Sequence, residues 1–132
     1  MIGDSISSSV VKRALDGVWE RQRAISTNLA NYDTPGFKAK VVTFEDALRE
    51  EVMKIQDTAK TREEIRSHLP AIENTNIRVA EDRTISQRLD GNNVDMDGES
   101  IELAKAQLQY MYLTNSMTNM YARLKTALSS NN

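Results

Sequence analysis

Near the C-terminal end of this 132-residue chain, Leu103, Ala106, Tyr110, Leu113, Met117, Met120, Leu124 and Ala127 alternate at spacings of three and four. Such a run predicts a helix whose apolar seam repeats every 3.5 residues over about three and a half heptads. Ile101, Ala104, Leu108 and Met111 trace a second stripe beside it, and Tyr112, Tyr121 and Leu128 widen the apolar surface. One neighbouring helix cannot cover so broad a face, and the remainder would stand as a large exposed patch. A helix of about 30 residues is also about 45 Å long, more than a small domain is wide.

A counterpart lies near the N-terminus. Val11, Leu15, Val18, Gln22, Ile25 and Leu29 share one helical seam, with Gln22 as its polar interruption. Ser7, Ser8 and Ser9 are candidate N-caps with Ile6 as a hydrophobic staple, and Trp19 lies off the seam, toward a second partner. Asn28 and Asn31 suit a helix C-terminus, and Thr34-Pro35-Gly36 cannot continue it. Pro35 sets φ at the second turn position and Gly36 permits a positive φ at the third, which predicts a type II turn with Phe37 folded back onto apolar neighbours.

The expected fold is therefore mostly α. Long N- and C-terminal helices, within residues 1–37 and 99–132, pair as a coiled coil and bring the chain ends together. Residues 38–98 form a weakly structured middle arm that orders within an assembly. Phe44, Leu48, Val52 and Ile55 predict one short helix near 44–56, with Thr43 as N-cap. From 57 to 90 the periodicity is weak, and the stretch reads as a loop holding one short helix or hairpin.

Composition removes several function classes. Hydrophobic residues are 39% and aromatics 5% of the chain, so any core is thin. The net charge is −2 and the cations are scattered, which leaves no electrostatic footprint for nucleic acid. The absence of cysteine excludes disulfides, thiol nucleophiles and thiolate zinc sites. No apolar run of about 18 residues could span a membrane. The start, MIGDSISSSVVKRALDG, lacks the apolar core of a cleaved secretory signal, so departure from the cytoplasm requires another route.

The inventory for catalysis is equally poor. His68 is the single histidine, and Walker, dinucleotide-binding and HExxH motifs are missing. No enzymatic activity, cofactor, metal or small-molecule substrate is expected. LDGNNVDMDGES invites comparison with a calcium loop: with Asn93 at position one, Asp95, Asp97 and Gly98 fall at three, five and six. Position twelve, however, is Ala104 where a bidentate glutamate is required. The stretch reads instead as turns made by Asp90, Gly91, Asn92 and Asn93, with Asp95 or Asp97 capping the last helix and Glu99 and Glu102 favouring its positive end.

The segment ISTNLANYDTPGFKAK resembles the N-terminal signature of the bacterial flagellar rod and hook family, a helix ending in Asn-x-x-Asn-x-x-Thr-Pro-Gly-Phe/Tyr. Here those positions are Asn28, Asn31, Thr34, Pro35, Gly36 and Phe37. RLDGNNVDMDGE before a long last helix, together with the short length, is similar to the proximal-rod member. Residues 9–48 and 86–129 carry the resemblance. Tyr32-Asp33 stands where Ala-Asp is commoner, and Gly98-Glu99 departs from the usual charged pair.

The resemblance implies a structural subunit of the flagellar basal body, made in the cytoplasm, exported unfolded by the flagellar type III apparatus and placed in the periplasmic part of the rod. The implied partners are other rod subunits, the rod–MS-ring adaptor, the MS ring, the export gate and copies of the chain itself. Within that reading Val11, Leu15, Val18, Ile25 and Leu29 pack on Tyr110, Leu113, Met117, Met120 and Leu124. Trp19, Leu108, Met111 and Tyr121 then face other subunits. The alternatives are another axial subunit of the same family, and a soluble helical adaptor or secretion chaperone.

Overall fold

The computed structural model describes residues 2–130, with side chains from residue 5 onward. Residue 1 and residues 131–132, the outermost positions of the two terminal ranges, lie outside the described residues. The order is α1 (Ile2–Ala30), β1 (Lys40–Thr43), α2 (Glu45–Thr58), α3 (Arg62–Glu73), β2 (Arg78–Glu81) and α4 (Met96–Ser129). The fold is mostly α with two long terminal helices, as the two seams predict. The short helix anticipated near 44–56 is α2, and the stretch beyond it holds α3 and the second strand of a small ribbon.

The seams leave a visible trace in burial. Along α1, Val18 and Ile25 are buried while Val11, Leu15, Gln22 and Leu29 are half-buried. Along α4, Ala106 is buried and Leu103, Leu113, Met117, Met120 and Ala127 are half-buried, whereas Tyr110 and Leu124 stay exposed. Two expected caps are corrected. The first is the serine cap of α1: the helix starts at Ile2, so Ser7, Ser8 and Ser9 lie inside it, and buried Ser9 donates to Glu73 Oε1 at 3.3 Å. The second is Thr43: it ends β1, and Phe44 holds the N-cap position of α2 without a side-chain cap bond, its ring buried instead.

The chain divides into two compact units, each drawing on parts of both long helices. One comprises residues 1–16, 44–76 and 111–132. Its buried apolar residues are Phe44, Leu48 and Ile55 at α2 and Ile72 on α3. α3 opens with a capping box: Thr61 Oγ1 accepts the Glu64 N–H at 3.3 Å, and Glu64 Oε2 accepts the Thr61 N–H at 3.0 Å. The Lys60 and Thr61 N–H groups hold the Glu64 carboxyl below the usual range. Arg13 on α1 donates from Nε to Thr75 O, just past α3, at 2.8 Å.

The other unit comprises residues 17–43 and 77–110. β1 and β2 pair antiparallel with Lys40 opposite Glu81, Val41 opposite Ala80, Val42 opposite Val79 and Thr43 opposite Arg78. Two four-residue strands are marginal alone, so the ribbon depends on what it packs against. Val18, Ala24, Ile25, Ala39, Val42, Val94 and Ala106 supply that unit's buried apolar surface.

Candidate functional site

At Ala30 the chain must leave α1 and turn toward β1. A helix end strands its last carbonyls, and burying them without donors is costly. Asn31 folds its side chain back, donating from Nδ2 to Thr27 O at 2.8 Å and accepting the Thr34 hydroxyl at 3.1 Å. The Phe37 N–H closes a turn on Thr34 O at 3.3 Å, and Gly36 adopts φ +72°, the left-handed value that a type II turn needs at its third residue.

The remaining carbonyls are met from far along the chain. Asn92, fully buried at 0% exposure, donates from Nδ2 to Asn31 O at 2.8 Å, Tyr32 O at 3.0 Å and Thr34 O at 2.8 Å. Its Oδ1 accepts the Val94 N–H at 2.8 Å, so both ends of the amide are used. Asn93 is also spent on backbone: Oδ1 accepts the Ala39 N–H at 2.7 Å, and Nδ2 donates to Asp82 O at 2.8 Å. The Gly36 N–H reaches Asp90 O at 2.8 Å, and Lys38 Nζ reaches Gly91 O at 2.6 Å. Gly91, at φ +78°, stands against Gly36: a Cβ added to it would lie 3.8 Å from Gly36 Cα.

Asn28 is the second buried amide, again at 0% exposure. Its Oδ1 accepts the Lys40 N–H at 2.8 Å and its Nδ2 donates to Lys40 O at 2.8 Å, so it grips the first residue of β1 as a neighbouring strand would. The same Nδ2 lies 3.1 Å from Glu99 Oε2 in the first turn of α4. Burial pushes the Glu99 carboxyl above the usual range; the Asn28 amide pulls it down, while Glu102, Asp95 and Asp82 push it up. Asp95 directly precedes the first residue of α4, and its carbonyl accepts the Glu99 N–H at 2.8 Å.

Arg88 completes the arrangement. It donates from Nη1 to Tyr32 O at 2.6 Å, pairs with Asp90 Oδ2 at 3.0 Å, and lays its guanidinium 4.5 Å from the centre of the Tyr32 ring. The motif around residues 28–37 and the motif around residues 90–93, read from sequence as two local turns, thus form one interlocked body. Arg88 and Ser86, whose hydroxyl donates to Asn92 O, were not singled out by sequence reasoning. Tyr32 was the available signal: an aromatic in place of a small residue calls for a partner face.

This geometry directs a chain and exposes no reacting group. Among the described residues no buried side-chain nitrogen or oxygen lacks a hydrogen-bond partner, and no cluster of three His, Asp or Glu side chains gathers to hold a metal ion. Asn93, the first position of the calcium-loop comparison, has its side chain occupied by backbone. His68 lies on α3 with Nε2 3.4 Å from Thr58 Oγ1, in the other unit. The proposed subunit-facing residues Trp19, Leu108, Met111 and Tyr121 are each more than half exposed.

The family model described as flagella basal body rod protein matches residues 20–38, the end of α1 and the turn that Asn92 seals. The flagellar basal body rod protein FlgB of Bacillus subtilis strain 168 is 34% identical over 119 residues, covering 90% of each chain. This chain belongs to the FlgB family. The FlgB proteins of Escherichia coli K12 and Borreliella burgdorferi are each 29% identical, over 86% of both chains and over 88% of this chain and 90% of that one, respectively. FlgB proteins are structural components of the flagellar basal body rod, not an enzyme family, and the basal body is where this chain belongs. No described helix is long and apolar enough to cross a membrane.

Proposed function

We propose that this FlgB-family chain is a subunit of the proximal rod, exported unfolded by the flagellar type III apparatus and polymerised at the rod's base to support motility. The observation that carries the reading is the uncovered stripe on α4: Ile101, Leu108, Met111 and Tyr112 are all exposed on one long helix. Apolar surface on that scale marks a face meant for protein. Paired terminal helices within residues 1–37 and 99–132 form the rod core, and residues 38–98 are an arm that meets its neighbours in the assembly. Trp19, Leu108, Met111 and Tyr121 meet neighbouring subunits, while Val11, Leu15, Val18, Ile25 and Leu29 hold Tyr110, Leu113, Met117, Met120 and Leu124. The partners are copies of the chain, the next rod subunits, the rod–MS-ring adaptor, the MS ring and the export gate.

The turn at residues 28–37 has protein as its ligand, because it fixes the direction in which the chain leaves α1. Leu113→Asp tests the reading: a charge in the half-buried seam should abolish incorporation and swimming while the variant is still exported to the medium. Normal swimming with Leu113→Asp would refute it.

A further inference from the structure

Ile85 and Leu89 are 95% and 109% exposed, the most exposed large hydrophobics among the described residues. They do not sit on a loose strap. The Thr84 N–H is held by Asp82 Oδ1 at 2.9 Å, and Thr84 O accepts from Asn93 Nδ2 at 3.3 Å. Ser86 bonds Asn92 O and accepts the Arg88 N–H at 3.0 Å, and Arg88 is clamped by Tyr32 and Asp90. Both aliphatic side chains are thus flanked by residues already fixed by hydrogen bonds, so presenting them to a partner loses little further entropy. A rigid loop that pushes two large aliphatics into water has the form of a knob.

The other compact unit contains a hole. A groove of about 460 Å³ opens among α1, α3 and α4, with Leu69, Met120, Leu124 and Ala127 as its apolar lining and Lys12 and Glu73 among its charged residues. That volume lies within the range of pockets that enclose small apolar groups, about 300–1,000 Å³. The charges match those of the knob. Arg83, two residues before Ile85, and Lys12 have no ion pair among the described residues, the Asp82 side chain accepts only the Thr84 N–H, and the Glu73 side chain accepts only the Ser9 hydroxyl. Arg83 to Glu73 and Asp82 to Lys12 are two complementary pairings.

We infer that the Ile85–Leu89 loop of one copy seats in the groove among α1, α3 and α4 of a second copy, with Arg83 against Glu73. Knob and hole belong to different units of the same chain, so one copy can seat its knob in a second while its own hole receives a third, a heterologous contact that propagates. Two side chains bury far less than the roughly 800 Å² per partner of a standard interface, so the contact acts when repeated along an assembly. The inference rests on the proposed rod function and names one of its interfaces.

The chain has no cysteine, which makes disulfide mapping clean. Leu89→Cys combined with Leu124→Cys is expected to link copies into dimers and longer ladders when basal bodies from cells making only this variant are mildly oxidised. Leu89→Cys with Ser67→Cys, on the exposed side of α3, should give no ladder. Basal bodies that contain the Leu89→Cys/Leu124→Cys chain but yield no ladder would overturn the contact while leaving the rod function intact. Absence of the unsubstituted chain from basal bodies would overturn the rod function itself, and the interface with it. Arg83→Glu is expected to lower incorporation about fivefold, and adding Glu73→Arg to restore it; an unrestored double variant would overturn the charge pairing.

Discussion

Around Asn92, residues 28–40 and 82–99 hold their shape by hydrogen bonds to backbone, whereas from Met111 to Ser129 the apolar pattern of α4 is covered along one edge only. In the first region each buried amide finds partners within the same chain. In the second, Leu113, Met117, Met120 and Ala127 are half-buried, and Tyr112, Tyr121, Leu124 and Leu128 face water. The contrast separates two tasks: the amide-bound region sets the direction of the chain from within, and the helix end keeps apolar surface open for the proposed subunit contacts. Polar networks suit the first task because they specify geometry, while an apolar stripe suits the second because burial is non-directional and follows area.

Asn92→Ala should break the contrast most severely. Three carbonyls around the end of α1 lose their shared donor, and the cost is expected to be about 3 kcal/mol, read as a lower urea midpoint. An unchanged midpoint would mean that the network does not order the region. Gly36→Val should cost about 1–2 kcal/mol in the same measurement, because a β-branched residue resists the left-handed conformation. No atom lies within 4 Å of a Cβ built there, so the strain is in the backbone and Gly36→Asn should recover much of it.

Glu99→Gln sharpens the comparison through pH. The raised carboxyl binds its proton more readily folded than unfolded, so its contribution to stability falls as pH rises from the ordinary glutamate range through the folded value. Glutamine keeps an oxygen for the Asn28 amide and removes the charge. The variant should therefore melt higher than the parent at neutral pH and match it well below the usual glutamate pKa of about 4.3; a gain that persists in acid would point to another cause. Tyr112→Ser gives the smallest effect on the isolated chain. With 73% of its surface already exposed, stability should move by no more than about 0.5 kcal/mol, while incorporation into the rod drops.

How legible each part was follows from the distance over which its cause acts. α1 and α4 were readable because their apolar spacing repeats over many turns. α3 carries its own local signal, the Thr61 and Glu64 capping box, but Pro70 within the helix and isolated apolar residues masked it. β1 and β2 are four residues each and lie on either side of two helices, so neither strand is evident without its partner. Asn92 reads locally as a turn residue, yet its acceptors lie 58 to 61 positions earlier. Asn28, expected to finish a helix, holds β1 for the same reason: its partner, Lys40, is past the turn.

That long reach of Asn92 has a consequence for the order of events. A chain that emerges N-terminus first can coil α1 and its Asn31 cap early, but the donor shared by the Asn31, Tyr32 and Thr34 carbonyls is missing until residue 92 of 132 has appeared. Closing so large a loop is slow, because entropy is lost before any contact rewards it. The Thr-Pro-Gly bend thus behaves as a latch whose bolt is delivered late, leaving residues 31–37 pliable while most of the chain emerges and committing them to one direction only near the end.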